Sequence, residues 1–188
     1  MLRTTLVAVM LSGTSGFVFG ADAPAKTEEV KHKDLTLNVP ENWSNTGKRN
    51  SMRLATYEIP AVKGDKESGE LAIFNFPGGG GGVGQNISRW VGQFDSKGRE
   101  HKITKGKAGD HDYYVVEVSG TYNKSVGPPI RRQTRPVEGS RMLAVILQLN
   151  KGVYFLKMTG KDATVKAQST AFRKSFGGSE KSEEKYKG

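Results

Sequence analysis

Residues 141–158 read RMLAVILQLNKGVYFLKM. Arg141 to Leu149 is apolar at almost every position, so a strand there has both faces covered and belongs at the centre of a sheet. Asn150-Lys151-Gly152 supplies a tight turn in which Gly152 can take φ > 0, and Val153 to Met158 returns antiparallel. Downstream, Asp162 is a natural N-cap for a last helix. Val165, Phe172 and Phe176 make its apolar face, Ala171 flanks them, and Gly177 sits at C′.

Upstream of the hairpin the same reading gives more strands. Leu35, Leu37 and Val39 alternate with polar residues until Pro40, the pattern of a strand with one buried face. Asn42 to Asn45 is a turn with Trp43 at the core edge. Met52 to Ile59 is a second strand, Lys63 to Gly69 a charged turn, and Leu71 to Phe76 a third and central strand. Ile87, Trp90, Val91 and Phe94 then fall at i, i+3, i+4 and i+7, one apolar helical stripe that must face a sheet. After Gly98, Ile103 is the one large apolar residue before Tyr113, so the strand there is exposed or at an edge. Tyr113 to Val118 is a further strand. Strands in runs joined by turns make a mainly antiparallel β-sheet covered by helices: a single α+β domain over 34–176.

Composition narrows the chemistry. The chain has 188 residues, no cysteine and three histidines. That excludes a disulfide scaffold, a thiolate metal site and a thiol nucleophile. Residues 1–20 read as a signal peptide, with basic Arg3, an apolar run from Thr4 to Leu11 and cleavage after Gly20, so export to a periplasmic or extracellular location is expected. No other segment approaches the ~18 apolar residues of a membrane-spanning helix, so no transmembrane segment is expected. Residues 21–33 read as a flexible tether and 177–188 as a disordered polar tail; within each, acidic and basic residues cancel.

Leu37-Asn38-Val39-Pro40-Glu41-Asn42-Trp43 resembles the strand-then-P-x-x-W opening of the PsbP/Mog1-like fold. The closing hairpin, Gly152 to Gly160, with the helix ending in Phe172 and Phe176, is also similar. Within that fold, Asn86-Ile87-Ser88-Arg89-Trp90-Val91-Gly92-Gln93-Phe94, with the preceding glycine run and Gly120-Thr121-Tyr122, looks like a group of uncharacterised bacterial exported proteins. The resemblance covers most of 34–176. It implies a fold and no activity, and it carries no site residue across.

No nucleophile, zincin or P-loop pattern is present. Gly78, Gly79, Gly80, Gly81 and Gly82 precede a helix, a place that can hold an anion, but without the Lys-Ser/Thr of a P-loop the run reads first as a close-packed connection. Asp110-His111-Asp112 reads as a turn, because successive side chains of an extended segment alternate and do not converge. Trp90 and Phe94 read as core. No metal or cofactor is expected.

The basic residues remain. The formal net charge is +10. Residues 34–176 hold 22 Lys and Arg against 13 Asp and Glu, and nearly all the excess lies in 97–107 and 124–141. The candidate anion-binding residues are Lys102, Lys105 and Lys107 in the first, and Arg131, Arg132 and Arg135 in the second, a long Pro/Gly-bearing loop. The expectation is a non-catalytic exported binding or accessory module for an acidic protein, an acidic polymer or an anionic surface. Nucleic acid is not expected as a partner. The alternative is a small enzyme or small-anion carrier with its site near Gly78–Gly82.

Overall fold

Alternation along the central hairpin divides the molecule into two cores. A computed structural model describes residues 26–76, 78–127, 131 and 133–187. The strands are β1 (Thr27–His32), β2 (Leu35–Pro40), β3 (Ser44–Asn45), β4 (Arg53–Ile59), β5 (Gly69–Asn75), β6 (Glu100–Ala108), β7 (His111–Ser125), β8 (Thr134–Leu149), β9 (Gly152–Lys161) and β10 (Glu184–Lys185). The helices are α1 (Val83–Val91), α2 (Asp162–Ala167) and α3 (Ser169–Ser175). Eight strands form one antiparallel sheet in the order β10-β6-β7-β8-β9-β5-β4-β3, and β1 and β2 form a separate hairpin. The chain is a single α+β domain, a large antiparallel sheet with few helices packed on it.

Leu143, Val145 and Leu147 of β8 point to one face, with Tyr113 and Val115 of β7 and Tyr154, Leu156 and Met158 of β9. The hairpin β1–β2, through Leu35, Leu37 and Val39, and helices α2 and α3, through Val165 and Phe172, cover this first face. Met142, Ala144 and Ile146 point to the second face, where Ile87, Trp90 and Phe94 of the α1 segment cover them. This is the period-two pattern of a doubly covered strand, and β8 is central as its sequence requires. Among the described residues no helix is long and apolar enough to cross a membrane.

Four expectations are corrected. The expected tether is in part strand β1: Thr27–His32 pairs residue for residue with Pro40–Leu35, and Val30 packs on the first core. The turn between them places Lys33 at φ 59°. Residues 1–25, including the expected signal peptide, lie outside the described residues. The expected disordered tail is ordered over the edge strand: β10 pairs with Lys105 and Thr104 of β6, and the Tyr186 amide donates to the Ile103 carbonyl. The reason is electrostatic. The tail's acids find partners on the body of the domain, not within the tail.

The third correction concerns 124–141. It is mostly not a loop but the outer half of the β7–β8 hairpin, paired from Gly120↔Ser140 out to Ser125↔Thr134. The last helix is two, broken at Gln168, and the N-cap is Lys161 with Asp162 in the first turn.

Candidate functional site

Beyond the ends of its neighbours in the sheet, the β7–β8 hairpin continues as a two-stranded arm. β6 stops opposite Ser119 and β9 stops opposite Ser140. The arm's base is held by the segment after α1: Asp95 and Gln93 exchange backbone bonds with Thr121 and Asn123. Further out the two strands pair only with each other. Lys124 stands directly opposite Arg135. Like charges opposite one another destabilise an antiparallel pair, yet among the described residues no carboxylate lies within ion-pair distance of Lys124, Arg131 or Arg135. All three are exposed. Arg132 lies outside the described residues.

The other basic segment behaves differently. Lys102 pairs with Glu180 at 3.1 Å, Lys105 with Glu184 at 3.0 Å and Lys107 with Asp112 at 2.9 Å. Arg99 donates to the carbonyls of Val91 and Phe94 at the end of α1. Lys102 also lies on the opposite face of β6 from Lys105 and Lys107, because the spacing is odd. The nearest of the three to the arm, Lys102, sits opposite Glu117, seven residues back along β7 from Lys124, or about 23 Å at roughly 3.3 Å per residue. The two basic segments do not form one patch. The anion met by Lys102 and Lys105 is the chain's own C-terminal tail.

That tail is anchored by a buried ion pair. Glu183 accepts from Arg173 Nε at 2.7 Å and from Thr104 Oγ1 at 2.7 Å, and its side chain and that of Arg173 are each 1% exposed. Arg173 also donates to Glu117 at 2.7 Å. Burial alone would raise the Glu183 carboxyl, but the bonds from Arg173 and Thr104 and the Arg173 charge outweigh it and hold the group below its ordinary value.

The arm's inner end leads to a cluster that sequence reading does not find. Lys157, mid-strand in β9, faces the second side of the sheet between Ala72 and Ala144 on the flanking strands. These small neighbours leave it room. Its Nζ donates to Gln93 Oε1 at 2.6 Å and Tyr122 Oη at 3.1 Å and lies 5.2 Å from the centre of the Tyr122 ring. No carboxylate pairs with it among the described residues. Burial first, then the nearby charges of Arg89 and Arg53, push the ammonium down to about 8, with Glu70 opposing them. Arg53 in turn bridges to Glu70 at 3.2 Å. Beside the cluster a cleft of about 90 Å³ is lined by the carboxylates Glu67 and Glu70 and by Tyr122, Lys124, Ser140 and Thr159, among others, and so joins the cluster to the arm.

The glycine run forms no comparable site. A Cβ on Gly80, at φ +69°, would fall 2.8 Å from the Phe155 ring and 2.9 Å from that of Phe76. Asn86 Nδ2 donates to the carbonyls of Gly80 and Gly82, and the Gly82 amide donates to Gln85. The loop's polar groups are turned to closing the start of α1 on the second core. Gly109-Asp110 is the turn joining β6 to β7. A second cleft, about 340 Å³, opens at the far end of β8 between Asp34, His111 and Lys151. There Tyr154 donates to Asp34, and burial, then that contact, pushes the phenol up to about 12.

No protein-family model and no curated protein matches this chain. Among solved structures it is similar to a Pseudomonas aeruginosa protein of unknown function, PA94, at 12% identity over 80% of this chain and 93% of that one, with a TM-score of 0.44. It is also similar to the cyanobacterial PsbP (CyanoP) of Synechocystis, at 13% identity over 89% of this chain and 96% of that one, with a TM-score of 0.46. The likeness is one of overall topology, and no residue's role is carried by it.

Proposed function

We propose that this chain is a non-catalytic binding or accessory module, exported to a periplasmic or extracellular location, that engages an anionic partner with the β7–β8 arm. The sequence of residues 1–20 supports export. One observation carries the binding reading: Lys124 and Arg135 face each other across the arm, and among the described residues no carboxylate lies within ion-pair distance of either. A fold that holds two like charges together at its own expense is set up to be completed by a negative partner. Arg131, also exposed, lies between Lys124 and Arg135 in the chain, in the segment that joins the strands of the arm. Lys102, Lys105 and Lys107, already paired, take no part.

Retention on heparin as a function of salt tests this. The wild-type chain should be held at low salt and released as salt screens the contact. A Lys124→Ala/Arg131→Ala/Arg135→Ala variant should bind at least about 10-fold more weakly near 0.15 M salt, which is about 1.4 kcal/mol over three contacts. A Lys102→Ala/Lys105→Ala/Lys107→Ala variant, with the same change in net charge, should elute with wild type. Full retention of the arm variant would overturn the reading.

A further inference from the structure

The second sheet face is covered by α1 over β7 and β8, and the Lys157 cluster lies at the edge of that cover. Its hydrogen-bond capacity is unbalanced. Lys157 has three N–H donors and uses two, on Gln93 and Tyr122. Gln93 accepts through its oxygen and Tyr122 accepts through its hydroxyl, so the Gln93 amide N–H groups and the Tyr122 O–H remain to be given. Arg89 spends one N–H on Asn86 Oδ1 at 2.5 Å and keeps four. Against these donors the nearby acceptor is Glu70, one oxygen of which already accepts from Arg53 at 3.2 Å.

Charge is unbalanced in the same direction. Lys157 from β9, Arg89 from α1 and Arg53 from β4 are cations, Glu70 from β5 is the carboxylate that acts on Lys157, and Tyr122 from β7 is neutral. Two arginines repel a lysine that is already partly desolvated. An anion over Lys157 would relieve that repulsion and accept the spare donors at once. The adjoining cleft, about 90 Å³, has room for one compact group.

We propose that Lys157, Arg89, Gln93 and Tyr122 form a seat for a single tetrahedral oxyanion, phosphate or sulfate, free or carried by the anionic partner. The inference rests on the reading of the chain as an anion-binding module and adds a defined subsite at the foot of the arm. The arm supplies long-range attraction and the seat supplies the group-specific contact, since multidentate charge-assisted hydrogen bonds are directional where a screened surface charge is not.

Inorganic phosphate is the probe. Titrated into the full chain at fixed ionic strength, it should perturb the NMR signals of Lys157, Gln93 and Tyr122 and raise the pH at which the Lys157 ammonium titrates. Lys157→Gln should weaken phosphate at least 10-fold, and Arg89→Gln should do so while leaving the buried lysine and the fold in place. Lys157→Arg, which keeps the charge, should retain binding. Perturbation centred on the arm or on the β6 edge, or wild-type affinity in Lys157→Gln and Arg89→Gln, would overturn the seat. Competition separates the two levels. If phosphate does not compete and heparin is still held by the arm, the seat fails and the binding reading stands. If neither anion is held, both fail. If phosphate binds as described and a phosphorylated or sulfated polymer binds far more tightly, the seat belongs to a polymer-borne group; equal affinity assigns it to the free ion.

Discussion

Lys157 occupies a position that its strand offers to an apolar side chain, between Phe155 and Thr159 on one face and between Ala72 and Ala144 across it. Its ammonium titrates near 8 in the folded chain against an ordinary 10.5. In that interval the unfolded chain binds the proton and the folded chain does not, so stability rises with pH from about 8 to 10.5 and is lowest, as far as this group goes, at and below neutrality. Lys157→Met keeps the length and removes the titration. The variant should therefore gain on wild type at pH 7 relative to pH 10.5, by on the order of 2 kcal/mol once the side chain's partial exposure is allowed for. Urea unfolding of both proteins at the two pH values measures this. An identical difference at both would show that the lysine is not held under strain. The proposed oxyanion seat would offset that cost whenever an anion is bound.

At the scale of elements, the C-terminal strap shows how charges read as cancelling within a segment can be spent elsewhere. Glu180, Glu183 and Glu184 meet Lys102, Arg173 and Lys105. Of these, Glu183–Arg173 is buried, and breaking one partner of such a pair costs about 3–5 kcal/mol. The two surface pairs are worth about 0–1 kcal/mol each. Glu183→Gln should thus destabilise the domain at pH 7 by roughly 3 kcal/mol, while Glu184→Gln changes little. The carboxyl is held below its ordinary 4.5, so its contribution is present above that value and is lost as pH falls through the lower folded value. Wild type and Glu183→Gln should therefore converge in acid. Thermal unfolding at pH 7 and pH 3 tests it, and a gap undiminished at pH 3 would place the stabilisation elsewhere. The hairpin 141–158 is legible in sequence because both of its faces are apolar, and α1 because Ile87, Trp90, Val91 and Phe94 keep one helical stripe. Strand β1 is not, since Val30 is the one apolar residue in a charged run whose partner becomes known only when β2 folds over the sheet. The arm hides for a related reason: Pro136 and Gly139 read as loop residues, but outside the neighbouring strands an edge position tolerates both. The basic residues are legible in the sequence as groups that attract carboxylates. Which of them already have one depends on contacts across more than seventy residues, as in Lys102–Glu180.

For the whole molecule the sheet is the shared element. β7, β8 and β9 send alternate residues to two cores, so Val115, Val145 and Leu156 pack under β2 and α3 while Val116, Ile146 and Phe155 pack under α1. Neither core can dissolve without freeing the inner strands from the other, and with no cysteine in the chain no crosslink can hold one half folded alone. The domain should unfold as one unit. The two tryptophans make this measurable, because Trp43 is buried in the first core and Trp90 in the second. Trp43→Phe leaves a reporter under α1, and Trp90→Phe leaves one on the opposite side of the sheet. For each single-tryptophan variant, the fluorescence and far-UV circular dichroism transitions in urea should share one midpoint and one slope. The decisive case is Trp43→Phe. α1 is a short helix held by a smaller cluster than the one beneath β2, α2 and α3, so it is the element best able to detach on its own. Trp90 fluorescence changing at lower urea than the circular dichroism signal would mean that α1 lifts from an intact sheet. The oxyanion seat, which takes Arg89 from α1 and Gln93 from just beyond it, would then open while the arm stayed folded. Coincident transitions instead tie the seat to the global stability of the sheet, so an anion that binds there must raise the midpoint seen by both tryptophans equally.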